Sequence, residues 1–104
     1  MKKILFTILI TGTITAQAQV KKVLFLGNSY TSVNSLPTLV KDIALSFGDT
    51  MLTDQNTPGG HQLVQHVVNT TTLSKISSQN WDNVVIQEQS QKPSFSPGQV
   101  ATDV

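Results

Sequence analysis

Residues 22–26 (KVLFL) form a short continuous apolar run that stops at Gly27. Such a run, rather than an alternating one, is how a strand buried on both faces of a parallel sheet reads. The period then changes. Leu36, Leu39, Val40, Ile43, Ala44 and Phe47 recur at helical spacing and define one apolar face. Ser35 is placed to cap this helix, Pro37 suits its first turn, and Gly48 is placed to end it. Residues 50–53 (TMLT) predict a weak second strand, and the breaker run 56–60 (NTPGG) follows it. A short helix is expected over residues 61–69, with Leu63, Val64, Val67 and Val68 facing inward. The polar stretch 70–80 carries no assignment. Residues 82–87 (DNVVIQ) supply a third strand through Val84, Val85 and Ile86, and Ser96, Pro97 and Gly98 form the cap and first turn of a further helix.

Strands alternating with helices imply an α/β fold, a parallel sheet with flanking helices. Three strands and two or three helices are few for that architecture, because sheet faces and edges would stay open. The pattern reads as the front portion of a larger domain.

The first residues change how the rest is counted. Lys2 and Lys3 precede an apolar stretch, residues 4–10 (ILFTILI), and Ala16-Gln17-Ala18 is a small-x-small cleavage motif. This is the arrangement of an export signal over residues 1–18, with cleavage before Gln19. A membrane-spanning helix would need ~20 apolar residues, and Thr7, Thr11, Gly12 and Thr13 interrupt this run. The expected mature chain, residues 19–104, keeps five of the seven Lys against six acidic residues, a net charge of −1. A basic nucleic-acid binder is therefore not expected, nor is stable membrane insertion after cleavage, and the location implied is secreted or periplasmic. The charged fraction of 12% is about half the usual ~25% without a loss of apolar residues, so a disordered polyelectrolyte is excluded. The chain has no Cys, which rules out disulfides, thiolate zinc sites and a lipid-anchored cysteine. Two His and scattered carboxylates show no ligand spacing, so no metal or cofactor is implied.

Ligands of open α/β sheets bind beyond the carboxyl ends of the strands. Here those ends are polar or glycine-rich: residues 27–31 (GNSYT), 58–61 (PGGH) and 87–90 (QEQS). In the first, Gly27 permits a tight turn, and Ser29 falls where the strand hands over to a helix, a position that exposes a hydroxyl. From spacing alone, Asn28, Ser29 and Thr31 read first as ordinary turn and cap residues. Glu88 reads as a solvated loop charge, and His61 and His66 as helix-surface or site-lining residues.

Residues 21–31 (KKVLFLGNSYT) resemble the first block of the SGNH/GDSL hydrolases, in the GNSYT form of secreted bacterial members. Residues 58–63 (PGGHQL) resemble the second block, and residues 81–90 (WDNVVIQEQS) the strand leading to the third, where the family's G-x-N-D is replaced by Gln-Glu-Gln-Ser. The resemblance implies a flavodoxin-like three-layer fold and serine esterase chemistry. It makes Ser29 the nucleophile and maps the oxyanion hole to the N–H groups of Ser29 and Gly60 with the side-chain amide of Gln89. Gln87 competes for that last role, because strand side chains alternate, and Gly59 is the alternative to Gly60. Asn28, Tyr30 and His61 are candidate substrate contacts. The family's late D-x-x-H, which supplies base and orienting acid, has no counterpart after Ser90, where Asp103 stands alone.

The expectation is an N-terminal portion of an exported serine esterase for small-molecule or glycan esters, such as O-acetyl groups on sugars. The competing expectations are a noncatalytic exported carbohydrate- or ligand-binding module of the same fold, and a phosphate-binding α/β domain. G-x-x-x-x-G-K-S/T and G-x-G-x-x-G are both absent, against the last of these. Export has a direct check. N-terminal sequencing of the exported protein should begin near Gln19, whereas an intact Met1 form confined to the cytoplasm would contradict it.

Overall fold

A computed structural model describes residues 11–13, 17 and 19–102. The expected export signal lies largely outside the described residues. Three strands, β1 (Val20–Leu26), β2 (Thr50–Asn56) and β3 (Asn83–Ile86), form a parallel sheet in the order β2-β1-β3. Helices flank them: α1 (Ser29–Ser32) and α2 (Leu36–Ser46) between β1 and β2, α3 (Leu63–His66) and α4 (Thr70–Ser77) between β2 and β3, and α5 (Pro97–Thr102) after β3. This is the expected α/β class with a parallel sheet.

The continuous apolar run occupies the central strand. Val23, Leu24, Phe25 and Leu26 form the buried apolar core among the described residues, and full burial of a side chain such as Leu24 contributes about 1.5–3 kcal/mol. Partners lie on both sides of β1 in parallel register: Leu26 is opposite Asn56 of β2 and Ile86 of β3. All three strands therefore end at one level. Asp82 adds a stitch at the other end of β3, since it accepts from the Lys22 N–H through Oδ2 (2.8 Å) and donates its own N–H to the Lys22 carbonyl (2.9 Å).

Strand β2 is longer than the apolar pattern predicts. Its polar half, Asp54, Gln55 and Asn56, continues the ladder because the β1 backbone offers partners to Asn56. Lys75 of α4 meets the Asp54 carboxylate at 2.7 Å. Partial burial pushes the Asp54 carboxyl up, but the Lys75 hydrogen bond, the Gln55 N–H and the Lys75 charge outweigh it and hold the group below its ordinary value. The pair stabilises the fold above the unfolded carboxyl pKa and loses that effect as pH falls through the folded one. Half-exposed pairs of this kind contribute ~0–1 kcal/mol.

Gly48 ends α2 as expected, at φ 85° with its N–H on the Leu45 carbonyl. Other expectations are corrected. Ser35 does not cap α2 through its side chain, because it and Asn34 adopt left-handed backbone (φ 54° and 57°) in a kinked 3₁₀ turn. The helix expected over residues 61–69 shortens to α3 (Leu63–His66), and a separate helix, α4, fills much of the polar stretch 70–80 that carried no assignment. The Asn69 side chain accepts from the Thr72 N–H at 2.9 Å and starts the new helix. Val67 and Val68, expected inward, are consequently 69% and 76% exposed, and Val64 is also exposed.

Strand β3 is the most open part of the sheet. Val84, Val85 and Ile86 are all exposed, and β1 is its only strand partner among the described residues. An apolar groove of about 380 Å³ runs between its end and the α3–α4 segment, lined by Leu26, Leu63, Leu73, Ile76 and Ile86 among others. Among the described residues no helix is long and apolar enough to cross a membrane.

Candidate functional site at the carboxyl ends of the strands

Gly27 leaves β1 with no room for a side chain. A Cβ there would lie 2.5 Å from Thr31 Oγ1 and 2.7 Å from Gln87 Oε1. The next residue, Asn28, is extended, 1% exposed and N-caps α1: its Oδ1 accepts from the Tyr30 N–H (3.1 Å). Its Nδ2 donates to the His61 carbonyl (3.0 Å), and its backbone N–H donates to Gln87 Oε1 (3.1 Å). One residue thus joins all three segments singled out in the sequence. Asn28, a candidate substrate contact, spends both polar atoms of its side chain on this junction.

Ser29 is the first residue of α1 and is exposed. Its hydroxyl has no protein hydrogen bond among the described residues, and it lines a shallow depression of about 290 Å³ with Tyr30 and Val33. Tyr30 is 64% exposed, available to a ligand in that depression. Gly60 has φ 68° in a turn closed by the His61 N–H on the Pro58 carbonyl (3.2 Å). That is the positive-φ third position of a type II turn, which favours glycine. The structure records no protein acceptor for the backbone N–H of Ser29 or Gly60 among the described residues.

In the third segment it is Gln87, not Gln89, that touches the Ser29 loop. Gln87 Oε1 accepts from the Asn28 N–H and from the Thr31 hydroxyl (2.9 Å), while its Nε2 donates to the Glu88 carbonyl. One of the two Nε2 N–H donors of Gln87 is therefore used locally, and its Oε1 is turned to the Ser29 loop. Gln89 Oε1 accepts from the Gln91 N–H (2.7 Å), which leaves its Nε2 without a protein acceptor among the described residues. Glu88 is not a merely solvated charge: its Oε1 accepts from the N–H groups of Leu63 (3.1 Å) and Gln89 (2.6 Å), tying the third segment to the start of α3.

Of the two histidines, His66 is not on the helix surface. His66 is buried at 4% exposure, with Nε2 2.7 Å from the Gly27 carbonyl and Nδ1 2.7 Å from Thr72 Oγ1. Half-buried His61 stands edge-on to it, ring centres 4.8 Å apart, with Nε2 facing Asn69 Nδ2 at 3.5 Å. Neither ring is hydrogen-bonded to Ser29. Asn56, Asn69 and Thr72 complete a polar cluster that strand and helix patterns did not single out: Asn56 Nδ2 donates to Asn69 Oδ1 (3.1 Å) and Thr72 Oγ1 (2.8 Å). Short polar side chains at the end of β2 and at a helix cap were the available signal. No group of three or more potential ligands could hold a metal ion among the described residues.

Compared with protein-family models, curated proteins and solved structures, the chain matches none. Fold and site together therefore define a class only, a parallel α/β sheet with a serine-bearing polar edge. The crowding at Gly27 gives a test of that edge. Gly27→Ala should destabilise the protein by ~1–3 kcal/mol, as overpacking does, read as a lowered denaturant midpoint, and an unchanged midpoint would contradict the packing described.

Proposed function

We propose that this chain carries the nucleophile and part of the oxyanion hole of an exported serine esterase of the SGNH/GDSL type, acting on acyl esters such as O-acetyl groups on sugars. The single observation that carries this reading is the junction at Asn28, which ties the first and second segments and the start of the third at one sheet edge beside an exposed, unbonded Ser29 hydroxyl. The sugar ester rests on analogy with the family that the motifs resemble.

In this reaction Ser29 Oγ attacks the ester carbonyl carbon and forms a tetrahedral intermediate. Its negative oxygen is stabilised by the N–H groups of Ser29 and Gly60 and by the Gln89 amide. Collapse breaks the bond to the alcohol, and water then releases the acyl group. A base must take the Ser29 proton, and a second group must orient that base. Neither His61 nor His66 is hydrogen-bonded to Ser29, so among the described residues no histidine is placed to take its proton. The same observation favours the alternative reading, a noncatalytic binding module.

Residues 19–104 alone should give no Ser29-dependent ester turnover. The protein expressed from its complete gene should hydrolyse p-nitrophenyl acetate, and Ser29→Ala should abolish turnover with the thermal midpoint unchanged. Saturable ligand binding without turnover in that protein would favour the binding module, and turnover that survives Ser29→Ala would overturn the esterase reading. Gly60→Val should lower kcat with a smaller change in KM. Losing one oxyanion donor costs about 2.7–4 kcal/mol of transition-state stabilisation. Wild-type activity in that variant would move the donor elsewhere, to Gly59 first.

A further inference from the structure

The peptide bond between Gly27 and Asn28 is held at both polar ends by side chains from the two other strand-helix units. Its carbonyl faces His66 Nε2 at 2.7 Å, and its N–H donates to Gln87 Oε1 at 3.1 Å. A carbonyl only accepts, so His66 carries a proton on Nε2, and in the neutral ring Nδ1 then accepts from the Thr72 hydroxyl. Thr72 Oγ1 in turn accepts from Asn56 Nδ2, and the Asn56 carbonyl accepts from the Gly27 N–H (3.2 Å). The hydrogen bonds therefore close a ring: Gly27 to Asn56, Asn56 to Thr72, Thr72 to His66, and His66 back to Gly27. The donors run in one direction round the ring, with Asn56 Nδ2 also donating to Asn69 Oδ1 (3.1 Å), and the Gly27 carbonyl fixes the His66 tautomer.

We propose that His66 and Gln87 are positioning residues for Ser29, clamping the preceding peptide plane so that the Ser29 N–H and hydroxyl keep one orientation. The peptide unit is planar and stiff. With both its ends bonded it does not rotate, and the Asn28 side chain fixes the following turn through Tyr30 and His61. The direction in which Ser29 presents its groups is then set by contacts from β2, α3 and β3 rather than by the exposed loop itself. A burial role alone would not require a histidine donor at position 66 or an acceptor at position 87. The role assigned to Ser29 rests on the esterase reading; the clamp does not.

Two matched pairs of variants separate orientation from packing. His66→Gln keeps an N–H donor that reaches toward the Gly27 carbonyl, while His66→Met has similar bulk and no donor. Gln87→Glu keeps an acceptor for the Asn28 N–H and Thr31 hydroxyl, while Gln87→Met removes it. In ¹⁵N-labelled chain, long-range ring correlations should show His66 protonated on Nε2 and bare on Nδ1. Amide exchange of Asn28 should accelerate about tenfold in Gln87→Met, the scale of one lost hydrogen bond, and stay near wild type in Gln87→Glu. In the protein expressed from its complete gene, His66→Met should lower kcat for p-nitrophenyl acetate about tenfold with KM little changed, and His66→Gln should recover most of the loss. An Nδ1–H tautomer, or equal Asn28 exchange in the two Gln87 variants, would overturn the clamp, and these readings need no turnover. Equal kcat in the two His66 variants would overturn the positioning role. If wild-type protein shows no Ser29-dependent turnover while tautomer and exchange are as described, the esterase reading falls and the clamp stands.

Discussion

The requirement that a buried peptide group find partners at both ends organises the carboxyl edge of this sheet. Among the described residues only β1 carries a buried apolar stretch, and the chain leaves this central strand at Gly27, where Gly27 and Asn28 are both buried. The neighbouring units supply what is missing: Asn56 from the end of β2, His66 from α3, and Gln87 from the end of β3. Each recruits further partners, Thr72 and Asn69 on one side, Thr31 and Glu88 on the other. Glycine at position 27 follows from the same crowding, since a Cβ would press on Gln87 Oε1, the acceptor of the Asn28 N–H, and on the Thr31 hydroxyl bonded to it.

This division of labour explains why the two ends of the structure are held so differently. Along the strands the cohesion is apolar and concentrated in four β1 residues, while α2 and β3 leave large side chains such as Leu39, Ile43, Val84 and Ile86 exposed. At the carboxyl edge the cohesion is polar. Each hydrogen bond contributes only ~0.5–1.5 kcal/mol net, yet stranding a buried partner costs ~1–3 kcal/mol. A closed ring is therefore robust as built and sensitive to the loss of any member. Its effect is a rigid edge at which an exposed hydroxyl can be presented without being consumed by the network.

Much of the scaffold was legible because it rests on local physics. The unbroken KVLFL run marked the central strand, the spacing of Leu36 to Phe47 marked α2, and Gly48 ended it by adopting positive φ. The break at Asn69 was harder, because Val67 and Val68 continue a helical apolar pattern that the cap overrides. The polar half of β2 was hidden for a related reason: its place in the sheet comes from the β1 ladder and from polar contacts such as Asp54 with Lys75, not from an apolar pattern. At the site, the motifs drew attention to Ser29, Gly60 and the strand ends. They could not reveal that Gln87 faces the Ser29 loop, that Glu88 accepts from the start of α3, or that His66 is buried beneath Gly27. Those roles depend on residues up to 59 positions apart meeting in space, which no local period encodes.

A reacting serine in a loop held from below should be chemically singular among the serines of this chain. The direct measurement is covalent labelling of the protein, expressed from its complete gene, with a fluorophosphonate, followed by peptide mass spectrometry. Trypsin releases Ser29 within residues 23–41, a peptide that also carries Ser32 and Ser35. The predicted result is a single adduct on that peptide, localised by fragmentation to Ser29 and absent from Ser29→Ala. An adduct on another serine, or one that persists in Ser29→Ala, would contradict it.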